Sequence, residues 1–100
     1  MAVLTIRNGA FVPGTTQNIL TTASAQSSNV VANTTSIVRI SCQQDTYIEI
    51  GNATPTATAN SMIILGGSTE FFSVQPGESI VSVLKVGDPG IVSITQLTGY

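Results

Sequence analysis

Histidine and tryptophan are absent from this 100-residue chain, and cysteine occurs once, as Cys42. Each gap removes a class of chemistry. A disulfide framework needs paired cysteines. With no His and one Cys, a zinc site has only carboxylates left, which is not a usual ligand set. Charge is scarce as well. Three basic and five acidic residues make up 8% of the chain, against roughly 25% in an average soluble domain. A net charge of -2 with scattered basic residues leaves no footprint for nucleic acid. Long apolar runs are also missing. The longest, residues 62–65, is far short of the roughly 20 residues that span a bilayer. The first residues lack the basic stretch and apolar run of a signal peptide. The chain is therefore expected to be made and kept in a cytoplasm unless a larger assembly carries it out. The lone thiol suits that reducing compartment. Neither nucleic acid nor a membrane is expected as a partner.

What the chain does contain is hydroxyls and amides. Thr and Ser supply 25 residues, Asn and Gln 12 more, and 42% of the chain is hydrophobic. Such a polar surface is weakly hydrated beside a charged one, so it desolvates cheaply against a partner. No nucleophile-elbow, P-loop or dinucleotide motif occurs. Nothing calls for a cofactor or a metal. The balance points away from catalysis and towards a structural or binding role.

The length suits one domain, and its pattern is that of strands. Short runs rich in Val, Ile and Thr alternate over residues 36–42, 46–50, 61–65, 69–74, 80–85 and 91–97. Turn signals separate them: Gly51-Asn52, Gly66-Gly67, Pro76-Gly77 and Gly87-Asp88-Pro89-Gly90. No segment has a helical period with caps. The spacing predicts an all-β single-domain sandwich, jelly-roll-like or immunoglobulin-like. Parity assigns its core to Val38, Ile40, Cys42, Ile48, Ile50, Ile64, Phe72, Val74, Leu84, Val92 and Ile94. Residues 52–60 form a small-residue loop, either a mobile tip or a segment packed flat on a neighbour.

The first 34 residues differ. A short strand is expected over 2–7, but residues 8–34 alternate poorly and carry almost no charge. A free tail would hold more charge and fewer of Ile19, Leu20, Val30 and Val31. Residues 1–34 are thus expected to be an N-terminal strand and extended arm attached to a sandwich over 35–100. The arm, or edge strand, would order on a neighbouring subunit by strand addition, with Phe11, Ile19 and Leu20 as apolar contacts. A core this small is often marginal alone, and low charge raises few barriers to self-association. A homo-oligomer is expected, a trimer in preference to a dimer.

One stretch resembles a known group. The strand Val38-Arg39-Ile40-Ser41-Cys42, the turn Gln43-Gln44-Asp45 and the strand Tyr47-Ile48-Glu49-Ile50-Gly51 come first. The Ala/Thr loop around residues 56–60 follows, then Gly66-Gly67, the aromatic strand with Phe71-Phe72, and Gln75-Pro76-Gly77-Glu78. This order resembles small β-structured proteins of tailed-bacteriophage virions, above all head decoration (cement) proteins, over about residues 35–97. The resemblance implies a non-catalytic virion protein that binds the major capsid protein on the outside of the shell and stabilises it. It transfers no catalytic residue. A tail or neck component is the nearby alternative.

Two other functions compete with it. By parity Tyr47 and Phe71 face outward, and with Tyr100 they could stack a sugar in a carbohydrate-binding or adhesin-like module. Asp45 and Glu49 could serve as an acid–base pair or hold a cation. The plain reading of both carboxylates is solvent exposure, and Cys42 reads as a small buried hydrophobe.

Overall fold

A computed structural model describes residues 12–29, 36–51, 55–74 and 80–98. Among these residues there are eight strands: β1 (Val12–Leu20), β2 (Gln26–Ser27), β3 (Ser36–Cys42), β4 (Thr46–Gly51), β5 (Met62–Ile64), β6 (Thr69–Val74), β7 (Ile80–Lys85) and β8 (Ile91–Thr98). No helix occurs among the described residues. The strands form two four-stranded antiparallel sheets, β1-β8-β3-β6 (sheet A) and β2-β7-β4-β5 (sheet B).

The expected sandwich is therefore the architecture, and its topology follows from the pairing. First strand pairs with last, second with seventh, third with sixth, fourth with fifth. This is a long hairpin wrapped around itself, a jelly roll. In an immunoglobulin-like sandwich several consecutive strands share a sheet. Here only β4 and β5 do, so that alternative falls away.

The core lies between the sheets and is made almost wholly of β-branched side chains. Val38, Ile40, Ile48, Val81, Val83, Val92 and Ile94 are essentially inaccessible, joined by Cys42, Ile64 and Val74. Burying each such side chain stabilises the fold by roughly 1.5–3 kcal/mol. Ile50 and Phe72 are half-buried at its margin. In β7 the expected face is reversed. Val81 and Val83 point inward and Leu84 is only half-buried. Both parities of this strand are apolar, so alternation alone did not choose between them. Ser82, on the outward parity, is nevertheless inaccessible, because residues 55–61 fold across it. The Ala57 amide donates to Ser82 Oγ at 3.0 Å. That segment packs flat, as one expectation had it, but on its own sheet.

The N-terminal segment differs most from expectation. Residues 12–20 are not an arm reaching to a neighbour but a strand of sheet A, paired with β8 from Val12 to Leu20. β2 likewise joins sheet B through β7. The weak alternation has a cause. β1 is an edge strand with a register shift between Pro13 and Thr16, and its outward side needs no apolar residues. The strand expected over residues 2–7 and the contact at Phe11 lie outside the described residues.

Long-range hydroxyl bonds fasten the loops. Among the described residues five Ser or Thr are buried, and each has a partner. Thr21 Oγ1 donates to the Gly90 carbonyl and accepts the Gly90 amide, at 3.2 and 3.0 Å. Ser28 Oγ accepts the Val81 amide, Thr46 Oγ1 donates to the Gln44 carbonyl, and Thr95 Oγ1 bonds Thr16 Oγ1. Ser82 is the fifth. Among the described residues no buried side-chain polar atom lacks a partner.

Candidate functional site

The two outer faces are the surfaces on which chemistry can occur, and they differ. On sheet A, two cross-strand rows run over the sheet. One holds Thr69, Ser41, Ser93 and Asn18; the other Phe71, Arg39, Thr95 and Thr16. Their polar groups bond one another. Thr69 Oγ1 donates to Ser41 Oγ, Ser93 Oγ donates to Asn18 Oδ1, and Thr16 and Thr95 share a hydroxyl bond of 2.7 Å.

On sheet B the register sets Ile63, Tyr47 and Leu84 side by side. Leu65 and Val86 lie just past the ends of β5 and β7, two residues beyond Ile63 and Leu84, where the Gly66 and Val86 amides tie the chain to Asp45. Ile63, Leu65 and Val86 are 48%, 61% and 41% exposed. Together they make an apolar end to this face. The other end is covered by residues 55–61, held by Ser82 and by the Ser61 hydroxyl, which donates to Glu49 Oε1 at 2.8 Å.

The apolar end rests on a braced turn. Asp45 Oδ1 accepts the Gly66 amide at 2.7 Å, and the Asp45 carbonyl accepts the Val86 amide. Gln43 Oε1 accepts the Ile91 amide. Gly66 sits so close to this turn that a Cβ there would lie 2.9 Å from the Gln43 carbonyl oxygen and Gln44 Cα. A Cβ on Gly90 would meet the Gln44 backbone nitrogen at 3.1 Å and its side chain closer still. Apolar groups held on such a support lose little freedom when a partner covers them.

A cleft of about 400 Å³ opens between the sheets where β5 stops short and leaves Ile50 uncovered. Its walls are Ile48, Ile50, Met62, Phe72 and Val74, with Glu49 at the edge. Glu49 is already bonded to Ser61.

The candidate residues fall in separate places. Tyr47 is half-buried on the outer face of sheet B. Phe71, 57% exposed, stands on the outer face of sheet A. The two aromatics thus look away from each other and form no common sugar platform. Tyr100 lies outside the described residues. Leu20 is 55% exposed at the end of β1, while Ile19 is half-buried against the core. Asp45 and Glu49 are four residues apart in extended chain, about 13 Å at the usual rise per residue. Two-carboxylate glycoside hydrolysis uses separations of roughly 5–9.5 Å. Each carboxylate instead anchors a different loop. Among the described residues no three potential metal ligands cluster. Burial raises the thiol pKa of Cys42, and a hydrogen bond with Thr46 partly offsets this. A protonated, covered thiol makes a poor nucleophile.

Sequence reasoning missed Ile63, Leu65 and Val86. Residues 61–65 read as a strand with Ile64 in the core, which left its other apolar residues without a role. The signal was that both parities of the run are apolar, which a strand with one solvated face does not require.

No protein-family model matches the chain, and no curated protein and no solved structure matches it.

Proposed function

We propose that this is a non-catalytic structural protein of a tailed-phage particle, a decoration protein that binds the outside of the capsid shell and stabilises it. The observation that carries this reading is the apolar end of sheet B, where Ile63, Leu65 and Val86 stand exposed on a braced turn. Contiguous apolar surface on a soluble domain marks a contact site. Asp45 is exposed beside it, but its carboxylate already accepts the Gly66 amide and keeps that partner when the patch is covered. The resemblance over residues 35–97 supplies the partner, the major capsid protein. Self-association belongs to the same reading: such a protein acts as a homo-oligomer on a repeating shell.

The test is retention on purified capsids after sedimentation. The double variant Ile63→Lys/Leu65→Lys keeps its β-type circular dichroism and loses retention by about tenfold or more, the scale of one or two lost apolar anchors. Unchanged retention on heads rejects the surface. Retention on isolated tails but not heads moves the protein to the tail or neck. Binding on a glycan array without capsid retention rejects the reading in favour of a carbohydrate-binding module.

A further inference from the structure

A sandwich of two open sheets has four edges, and here they are unequal. β1 carries Pro13, Gly14 and a register shift. β2 has two residues and β5 three. Short strands, proline, bulges and charged side chains are the devices that keep an edge from pairing with another chain. β6 has only one charge, Glu70, and none of the others. Its six residues, Thr69–Val74, pair with six successive residues of β3 without a shift. Among the described residues no strand lies on its other side.

The hydrogen-bond phase of this edge can be read. The Cys42 amide donates to the Ser68 carbonyl at 3.2 Å, in the register that sets Ser41 opposite Thr69. Bonded and non-bonded pairs alternate along an antiparallel ladder. Residues 70, 72 and 74 therefore turn their backbone groups to β3. Thr69, Phe71 and Ser73 turn theirs outward, which leaves three amides and three carbonyls at the edge.

We propose that β6 is a dimerisation edge, occupied by β6 of a second copy. It runs antiparallel about a twofold axis at Phe71, with Phe71 opposite Phe71 and Thr69 opposite Ser73. This register is the one that uses every outward group. It forms six backbone hydrogen bonds and joins the two copies of sheet A into one eight-stranded sheet. A twofold pairing is self-complementary, so one edge suffices for both partners. The charges agree. Glu70 is the strand's one ionisable side chain, and this register sets it opposite Phe72 of the other copy, not opposite its own carboxylate. The exposed Phe71 rings meet at the axis. The proposal rests on the self-association in the preceding reading but not on the capsid, and it specifies closed pairs of chains in place of the trimer expected from the sequence.

Sedimentation of the full chain at about 50 µM tests it, with two kinds of variant. Ser73→Pro removes an outward amide and leaves the β3 ladder intact. Phe71→Lys sets two like charges at the axis. The wild type sediments as a dimer, and both variants weaken it by about tenfold or more with unchanged circular dichroism. In a third variant, Phe71→Cys, the paired α-carbons lie about 5.5 Å apart. A short bifunctional thiol reagent links such chains into dimers, while Leu20→Cys on β1, at the opposite edge of sheet A, is not linked. A monomeric or trimeric wild type overturns the proposal. A monomer also removes self-association, whereas a trimer retains it. A dimer that survives both Phe71→Lys and Ser73→Pro, or that leaves Phe71→Cys unlinked, assigns the association to another surface. Loss of capsid retention has no bearing on any of these readouts.

Discussion

The outer faces of sheets A and B come from the same fold and an equally uncharged chain, yet they offer a partner different things. On sheet A, Phe71 and Leu20 apart, the side chains are mostly polar but already committed. Thr69 bonds Ser41, Ser93 bonds Asn18, and Thr16 bonds Thr95. A partner gains little by replacing those bonds, since exchange of one hydrogen bond for another is nearly neutral. On sheet B the end around Ile63, Leu65 and Val86 has no such commitments, and covering it removes apolar area from water at about 25 cal/mol per Å². Of the two faces, the proposed capsid contact therefore falls on the one whose end has the fewest polar groups.

The largest expected effect removes what the two faces share. Ile94→Ala, at a fully inaccessible core position of β8, costs about 2–5 kcal/mol through lost contact and a cavity. Urea unfolding measures it, and both faces fail together. Next, Thr21→Val keeps the volume but strands the Gly90 amide that Thr21 Oγ1 accepts. A loss of about 1–3 kcal/mol is expected. It loosens the loop before β8 and so separates loop bracing from face chemistry.

A smaller loss appears only in alkali. The Cys42 pKa is raised in the folded protein, so the folded state holds the thiol proton more tightly. Below the ordinary thiol pKa, about 8.5, both states are protonated and stability is complete. Above it the unfolded chain ionises first, and stability falls as pH rises through the folded value. Denaturant midpoints between pH 8 and 11 measure this, and Cys42→Ala abolishes the dependence due to this group. The smallest effects sharpen the contrast directly. Ser93→Ala on sheet A and Leu65→Ser on sheet B each change stability by roughly 0.5 kcal/mol or less, as exposed substitutions do. Only Leu65→Ser weakens capsid retention.

How much of this was legible depended on the range of the deciding interaction. The strands β3 and β4 were plain, because Val38, Ile40, Cys42, Ile48 and Ile50 alternate with polar neighbours inside fifteen residues, but their short polar link, which reads as a hairpin turn, instead carries the chain from sheet A to sheet B. β7 was not, since Ile80 and Leu84 compete with Val81 and Val83. The loop carrying Ala57, 25 residues away, is what occupies the opposite side. β1 was hidden because the residue that locks its end, Thr21, has its partner 69 positions later. The abundance of Thr and Ser read as surface, yet Thr21, Ser28, Thr46, Ser82 and Thr95 are internal fasteners. Composition records a hydroxyl but not its partner.

The nested pairing also has a consequence in time. β4 with β5 closes a short loop, whereas β1 with β8 joins segments from opposite parts of the sequence. Closing the outer pair first would order a long loop at once, with no inner contacts to offset the entropy. Closing from the inside outward lets each pair shorten the gap for the next: β4–β5, then β3–β6, β2–β7 and β1–β8. On a ribosome β1 emerges well before its partner and must wait for β8. Its polar, bulged sequence is thus also that of a segment spending synthesis unpaired in water without aggregating.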